Sequence, residues 1–337
     1  MSCNSKKRIM SGMRPTGKLH LGHYFGVLTN WCKLQSEYEC FFSIADWHAL
    51  TTKYNCTETL AQDVTDVALD WLGCGIDPEI STVYLQSLVP QTAELHLYLS
   101  MVTPQRWVER DPTLKDAAKM MKTGEENFGE LPYGLMGYPV LMTADILSFN
   151  AELVPVGKDQ VAHLEISRDI VRRFNNIYGS NFNEPQEKLT EIPLLKGLDG
   201  QKMGKSFEND IKIADTPEVT EKKIMKAITD RSRIKRDDPG HPEQCEVAWD
   251  YWQIFGSESD KSEVEQLCRA GGIGCADCKR KLAARVNEKL APIRAKREQY
   301  AKSPDIVRQI IHEGSKKAQA AAQVVLDEIK SAVRMYK

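Results

Sequence analysis

Long apolar runs are missing from this chain of 337 residues: nowhere does it hold the roughly 20 uninterrupted apolar positions that a membrane-spanning helix needs. The first residues, MSCNSKKRIMSGM, lack the apolar core of a secretory signal, so a cytoplasmic protein with no membrane partner is expected. Excess charge is missing too. A formal net charge of −2 argues against a uniformly basic nucleic-acid coat and leaves only local basic stripes. Histidine is scarce at 7 residues, and no internal repeat is present. Nine cysteines remain, but in a reducing compartment they do not form a disulfide framework and are better read as core residues, metal ligands or bystanders.

What is present is enough apolar content, 42%, to bury a large core, with one big domain and a smaller one as the natural division. The apolar stretch 8–12, the buried strand 40–45 and the strands 82–85 and 153–156 alternate with helical periodicity. The segment 57–72 puts Leu60, Val64, Val67, Ala68, Trp71 and Leu72 on one face. A further helix opens at Asp159 and carries Val161, Leu164, Val171, Phe174 and Tyr178. Strand–helix repetition of this kind predicts an α/β protein with a Rossmann-type doubly wound parallel sheet over residues 1–206. From about Thr216 the β signals fade, so residues 207–337 are expected to form a C-terminal helical domain, broken at 237–240, 271–274 and Gly314.

Two motifs sit where such a sheet does its chemistry. In PTGKLHLGHYFG, residues 15–26, His20 and His23 are three apart at a helix start, with Gly17 and Gly22 letting backbone and ligand approach. The loop after the first strand is the nucleotide-binding position, and the following helix offers its N-terminal amides to phosphates. Far downstream, GLDGQKMGKS ends in Lys202, Met203, Gly204, Lys205 and Ser206. Two lysines and a serine on a glycine-bearing loop suit a clamp on a charged pyrophosphate leaving group.

Together these motifs resemble the HIGH and KMSKS signatures of class I aminoacyl-tRNA synthetases. Residues 11–23, 45–50, 137–147, 154–169 and 202–206 are similar, more closely, to the bacterial-type tryptophanyl-tRNA synthetases. Leu21 stands where HIGH has isoleucine, and Gly204 where KMSKS has its first serine. The resemblance implies ligation of L-tryptophan to its tRNA, through tryptophanyl-adenylate and pyrophosphate formed from ATP with Mg2+, by a homodimer. It also implies catalytic roles for His20, His23, Lys202, Lys205 and Ser206. ATP contacts would come from Arg14, Pro15, Thr16, Gly22, His23, Gly157, Lys158, Asp159, Leu194 and 202–206. Asp159 also suits a helix N-cap.

Indole offers one polar group, a donor N–H, so a selective pocket needs a fixed acceptor within apolar walls. Asp145, in the otherwise apolar YPVLMTAD, fits that need. The resemblance assigns it to the indole nitrogen, with Met142, Val154 and Val156 lining the ring and Tyr138, Gln160 and His48 near the ammonium and carboxylate. Lys115 is either a phosphate contact or an ordinary solvated lysine. A tyrosine-specific synthetase would need a pocket arranged around a phenol hydroxyl. A small-molecule adenylyltransferase would share the HxGH site without the KMGKS loop and the helical domain.

Cys245, Cys268, Cys275 and Cys278 follow a C-x22-C-x6-C-x2-C spacing. Four thiolates so arranged suit either tetrahedral zinc or a [4Fe–4S] cluster; a subset of the bacterial family resembles this pattern and carries the [4Fe–4S] cluster. From Lys279 to Arg297 eight basic residues stand against one acid, Glu288, on an expected helix that would meet RNA phosphates at the tRNA anticodon. Leu95, Leu97, Leu99, Met101 and Trp107 are candidates for the dimer interface or for the core.

Overall fold

The computed structural model describes residues 6–112, 114, 131–157, 161–189 and 195–336. Its centre is a sheet of five parallel strands: β1 (Arg8–Met13), β2 (Glu39–Ile44), β3 (Ser81–Leu85), β4 (Leu153–Val156) and β5 (Gln186–Leu189), in the order β3-β2-β1-β4-β5. The chain winds outward from β1 to β3 and then returns to place β4 on β1's other side. The order therefore reverses between β1 and β4, which opens the ligand crevice of a doubly wound sheet at the carboxyl ends of the strands.

Alternation along the strands serves both faces. Ile9, Cys40, Phe42, Ile44 and Val83 enter one apolar cluster with Trp31 and Trp71, whereas Met10, Phe41, Tyr84 and Val154 enter another with Phe149 and Leu164. In the first, Trp31 stacks on Phe42 at 4.4 Å while Trp71 meets Trp31 edge-on at 5.1 Å. Such aromatic pairs each add about 1 kcal/mol beyond their buried area. β5 was not legible in the sequence: its residues QEKL carry no β pattern, because an edge strand is paired on one side only and here keeps its side chains partly solvated.

Helices dominate after residue 206, among them Ala248–Phe255, Glu258–Arg269, Cys275–Ala301 and Pro304–Ala332. Tyr251, Trp252, Leu282, Val286 and Leu290 from this part join the same apolar cluster as Ile9, Trp31 and Phe42, so packing continues across residue 206. The last helix returns to the sheet and covers the open edge of β3, where the Leu85 N–H donates to Ser315 Oγ at 3.1 Å. Gly314 is not the helix break expected of it. It lies inside Pro304–Ala332, and a Cβ there would stand 1.8 Å from the Val83 carbonyl oxygen, so glycine is what lets helix and strand touch.

Leu95 and Leu99 are fully buried core residues, which removes them from the interface candidates; Leu97 and Met101 on the same helix are 54% and 69% exposed. Trp107 lies under the Arg173 guanidinium at 5.7 Å. Among the described residues, no helix is long and apolar enough to cross a membrane.

Candidate active site

The HLGH turn begins the helical segment after β1 and is held from three directions. Leu19 N–H donates to Asp70 Oδ2 at 2.6 Å, Leu21 N–H to the Ile211 carbonyl at 2.9 Å, and Gly22 N–H meets Met203 Sδ at 3.4 Å. Ile213 N–H donates back to the Leu19 carbonyl at 2.9 Å. The chain following KMGKS is thus laced to the turn, and Leu21 and Met203 are buried in one cluster. The two histidine rings are 3.8 Å apart, with the His20 backbone N–H donating to His23 Nδ1 at 3.3 Å, which leaves the ring proton of a neutral His23 on Nε2. Burial lowers the pKa of His20 to about 4 and that of His23 to about 3, with the Lys205 charge adding to both. Gly22 is required by closeness: a Cβ would fall 2.9 Å from the His20 ring.

KMGKS follows a hairpin closed by an antiparallel bridge between Lys196 and Lys202, and Gly200 makes its turn with φ +83°. Asn209 then braces the loop, accepting from Gly204 N–H at 2.9 Å and donating to the Lys202 carbonyl at 3.1 Å and Asp199 Oδ1 at 2.8 Å. Lys205 Nζ reaches across to the first motif, donating to the carbonyls of Thr16 at 3.0 Å and Gly17 at 2.8 Å. Gly17 takes φ +93° there, a conformation that favours glycine. Burial lowers the Lys205 pKa, opposed by Asp63 and Asp70. Arg14 is exposed, 3.4 Å from Thr52 Oγ1, beside buried Pro15. Gly157 is exposed at the end of β4. Lys115, Lys158, Asp159, Gln160, Leu194 and the side chain of Ser206 lie outside the described residues.

Asp145 is 3% exposed and firmly held: Gln86 Nε2 donates to both its oxygens at 2.8 and 2.9 Å, and His48 Nε2 stands 2.8 Å from Oδ2. His48 follows β2 and Gln86 follows β3, so the carboxylate is fixed at the carboxyl ends of two strands. Val154 is buried in the adjoining apolar cluster, and Met142 and Val156 pack against it. The Tyr138 hydroxyl is engaged by a buried pair, donating to Asp111 Oδ1 at 2.9 Å and standing 3.2 Å from His163 Nδ1. His48 and Tyr138, expected beside the amino-acid head group, therefore both have protein partners here. Gln86, Asp111 and His163 escaped the sequence analysis. Each is a single polar residue outside any motif, and only the fold brings them to Asp145 and Tyr138.

The four expected metal ligands are free thiols within electrostatic reach of one another. Burial pushes Cys278 up to about 11, opposed by the Trp252 indole N–H at 3.3 Å from its Sγ and reinforced by Cys245, Cys268 and Cys275. Among the described residues, no three His, Cys, Asp or Glu side chains stand as a ready metal-holding group. On the basic helix beyond Cys278, several side chains are engaged within the molecule. Lys279 Nζ donates to the Met225 and Ala227 carbonyls at 2.7 and 3.1 Å, Arg285 pairs with Asp260 at 2.8 Å, and Arg297 pairs with Asp66 and Asp70 at 2.8 and 2.6 Å.

This arrangement can seat a nucleotide between two interlocked loops and an apolar ligand with one N–H donor against Asp145. The chain matches the family of tRNA synthetases class I (W and Y) over residues 1–291. It is 41% identical to the tryptophan–tRNA ligase of Aquifex aeolicus and 44% identical to that of Thermotoga maritima; each match covers 97% of this chain, and 100% and 99% of those proteins. The solved tryptophanyl-tRNA synthetase of Campylobacter jejuni, complexed with ADP and tryptophan, is similar with a TM-score of 0.88 at 34% identity, covering 97% of this chain and all of that one. With one family matched over most of its length, and curated relatives well above 30% identity over nearly all of it, the chain belongs to the class I tRNA synthetases of the tryptophan and tyrosine group.

Proposed function

We infer that the protein is a tryptophan–tRNA ligase, which activates L-tryptophan with ATP and transfers it to the corresponding tRNA. The observation that carries this is the lacing of HLGH to the KMGKS segment, Leu21 N–H to the Ile211 carbonyl and Gly22 N–H to Met203 Sδ, at the same end of the sheet as the buried Asp145. The tryptophan carboxylate attacks the α-phosphorus of ATP, pyrophosphate leaves, and a tRNA ribose hydroxyl then takes the acyl group from the adenylate, releasing AMP. The protein's work is positioning and charge stabilisation. Lys205 exchanges the Thr16 and Gly17 carbonyls for phosphate oxygens, and His20 and His23, kept neutral by burial, each offer one ring N–H. Asp145, which uses only part of its acceptor capacity on Gln86 and His48, takes the indole N–H. Mg2+ enters with ATP and neutralises triphosphate charge. Arg14, Thr16, Gly157, Lys158, Asp159 and Leu194 complete the ATP site, and Tyr138, Gln160, Met142, Val154 and Val156 the tryptophan site. Tryptophan-dependent ATP–pyrophosphate exchange tests the reading. Exchange with tryptophan and not tyrosine is expected; exchange driven by tyrosine, or none, overturns it.

Two finer assignments accompany it. Leu97 and Met101, exposed on the helix Pro90–Val102, with Tyr133 78% exposed, suit the contact face of a homodimer; sedimentation as a monomer at working concentration would contradict it. Residues 207–337 act on the anticodon side of the tRNA, with Cys245, Cys268, Cys275 and Cys278 holding a [4Fe–4S] cluster. Support comes from four thiols within electrostatic reach of one another, from N–H donors aimed at two of them (Trp252 to Cys278 and, at 3.9 Å, Arg233 to Cys275), and from Gly240, where a Cβ would crowd Cys268 Sγ at 2.6 Å. Cys245, Cys268 and the helix start carrying Cys275 and Cys278 would hold the cluster as thiolates, and its chemistry there would be to tie three segments together rather than to turn over electrons. Anaerobic iron and sulfide analysis is the check: equal amounts support the cluster, and zinc without iron removes it while leaving the ligase intact.

A further inference from the structure

We propose that Asp70 and Arg297 form a positioning pair for the HLGH turn, setting residues 19–23 for adenylate formation, an inference that rests on the ligase reading for its activity readout. Asp70 is fully buried on the helix Leu60–Cys74. One oxygen accepts the Leu19 N–H at 2.6 Å, and the other faces Arg297 Nε at 2.6 Å, while Arg297 Nη2 holds Asp66 at 2.8 Å. Leu19 immediately precedes His20 and is itself fully buried, so its N–H has nowhere else to turn. Burial raises the Asp70 pKa, the Arg297 charge and the Leu19 N–H oppose that rise, and the Arg297 Nε contact fixes where the carboxylate points.

The contact is built for closeness. Gly73, one turn beyond Asp70, faces Arg297: a Cβ there would lie 2.9 Å from Arg297 Cβ and 3.1 Å from the Ile293 carbonyl. Asp70 also acts on the second motif, since its charge opposes the lowering of the Lys205 pKa by burial. Arg297 stands near the end of the helix Cys275–Ala301, about 28 Å along it from Cys278 at 1.5 Å per residue. The pair is therefore where the helix that starts among the cysteines meets the catalytic turn.

A buried ion pair that merely glued two helices would be replaceable by apolar residues of similar volume. An apolar pair cannot accept the Leu19 N–H, which gives the test. In Asp70→Leu/Arg297→Met, a folded protein with a lowered melting temperature is expected, because the buried Leu19 N–H and Asp66 lose their partners, together with a fall in kcat for tryptophan-dependent pyrophosphate exchange of about 100-fold, the scale of a 1 Å misplacement, and an unchanged KM for tryptophan. Asp70→Asn keeps an acceptor for Leu19 and should stay within about tenfold of wild type. Wild-type kcat in the double variant, or Asp70→Asn as slow as Asp70→Leu, overturns the proposal. If the double variant does not fold, Arg297→Gln serves: kcat falls at constant tryptophan KM, and wild-type kcat overturns the pair's role. Amide hydrogen exchange of residues 19–23 reads the pair without any substrate, and so separates its failure from that of the ligase reading. Exchange should speed up in Asp70→Leu and not in Asp70→Asn, and equal protection in both overturns the proposal.

Discussion

Asp145 and Lys205 are charged side chains at the same end of one sheet, yet they are held in opposite ways. Asp145 is buried and fixed by side-chain donors from two different elements, Gln86 and His48. Lys205 rests on the main-chain carbonyls of Thr16 and Gly17, in a loop it joins from the far side of the chain. The first arrangement is a finished receptor: its carboxylate cannot turn away without leaving Gln86 and His48 unpaired. On the proposed reading the second is a resting place that a phosphate oxygen can displace, because the Thr16 and Gly17 carbonyls are only partly buried and can be resatisfied by water. On that reading, the amino-acid end of the site is thus preorganised, and the nucleotide end is assembled by its ligand.

Removing Asp145 gives the sharpest break in that comparison. In Asp145→Ala the discrimination of tryptophan from phenylalanine should fall by up to about 10⁴, the range open to a site built around a substrate N–H. Stability should also fall by about 1–3 kcal/mol, because the buried Gln86 amide and His48 lose their acceptor. Exchange rates with the two amino acids measure the first effect and thermal melting the second; unchanged preference would take Asp145 out of the pocket.

Lys205→Ala should behave in the opposite manner. Adenylate formation is expected to drop by about 10²–10³-fold, as when one stabilising donor is removed from a transition state. Melting should hardly change, since the groups that lose a partner are the partly buried Thr16 and Gly17 carbonyls and the Thr16 hydroxyl, which water can reach. A large loss of stability with near-normal exchange would invert the comparison and make Lys205 structural.

The same contrast explains what could be read in the sequence. HLGH and KMGKS were legible because their chemistry is packed into short strings, and Asp145 because a lone carboxylate in YPVLMTAD demands a reason. Gln86 was not, since nothing local marks the residue after β3 as Asp145's donor. The basic run 279–297 was legible because charge is local, whereas the acids that pair with Arg285 and Arg297, namely Asp260, Asp66 and Asp70, lie on other helices and could not be read from it. Gly314 read as a break because a glycine in a helix signals one unless something presses against it, and what presses, the Val83 carbonyl, is remote in sequence. β5 carried no signal because its partly solvated edge position asks for none.

The smallest expected effect is an absence of titration. His20 and His23 carry folded pKa values of about 4 and about 3, lowered first by burial, from an unfolded value of 6.5. For a base depressed on folding, the unfolded chain binds the extra proton first, so the stability these two neutral rings contribute is complete above pH 6.5 and is lost as pH falls toward 4 and then 3. Between pH 7 and 5 the folded protein should therefore keep both rings neutral. Histidine NMR titration of the free protein should show no inflection near 6.5 for either ring, and pyrophosphate exchange should show no limb there attributable to them. Lys205 sharpens the point, because its charge helps keep both rings neutral. In Lys205→Ala both histidine pKa values should rise, with His20 the more easily detected because it starts higher. A His20 that titrates near 6.5 in the wild-type protein would show that the turn is open to water rather than closed beneath the KMGKS loop.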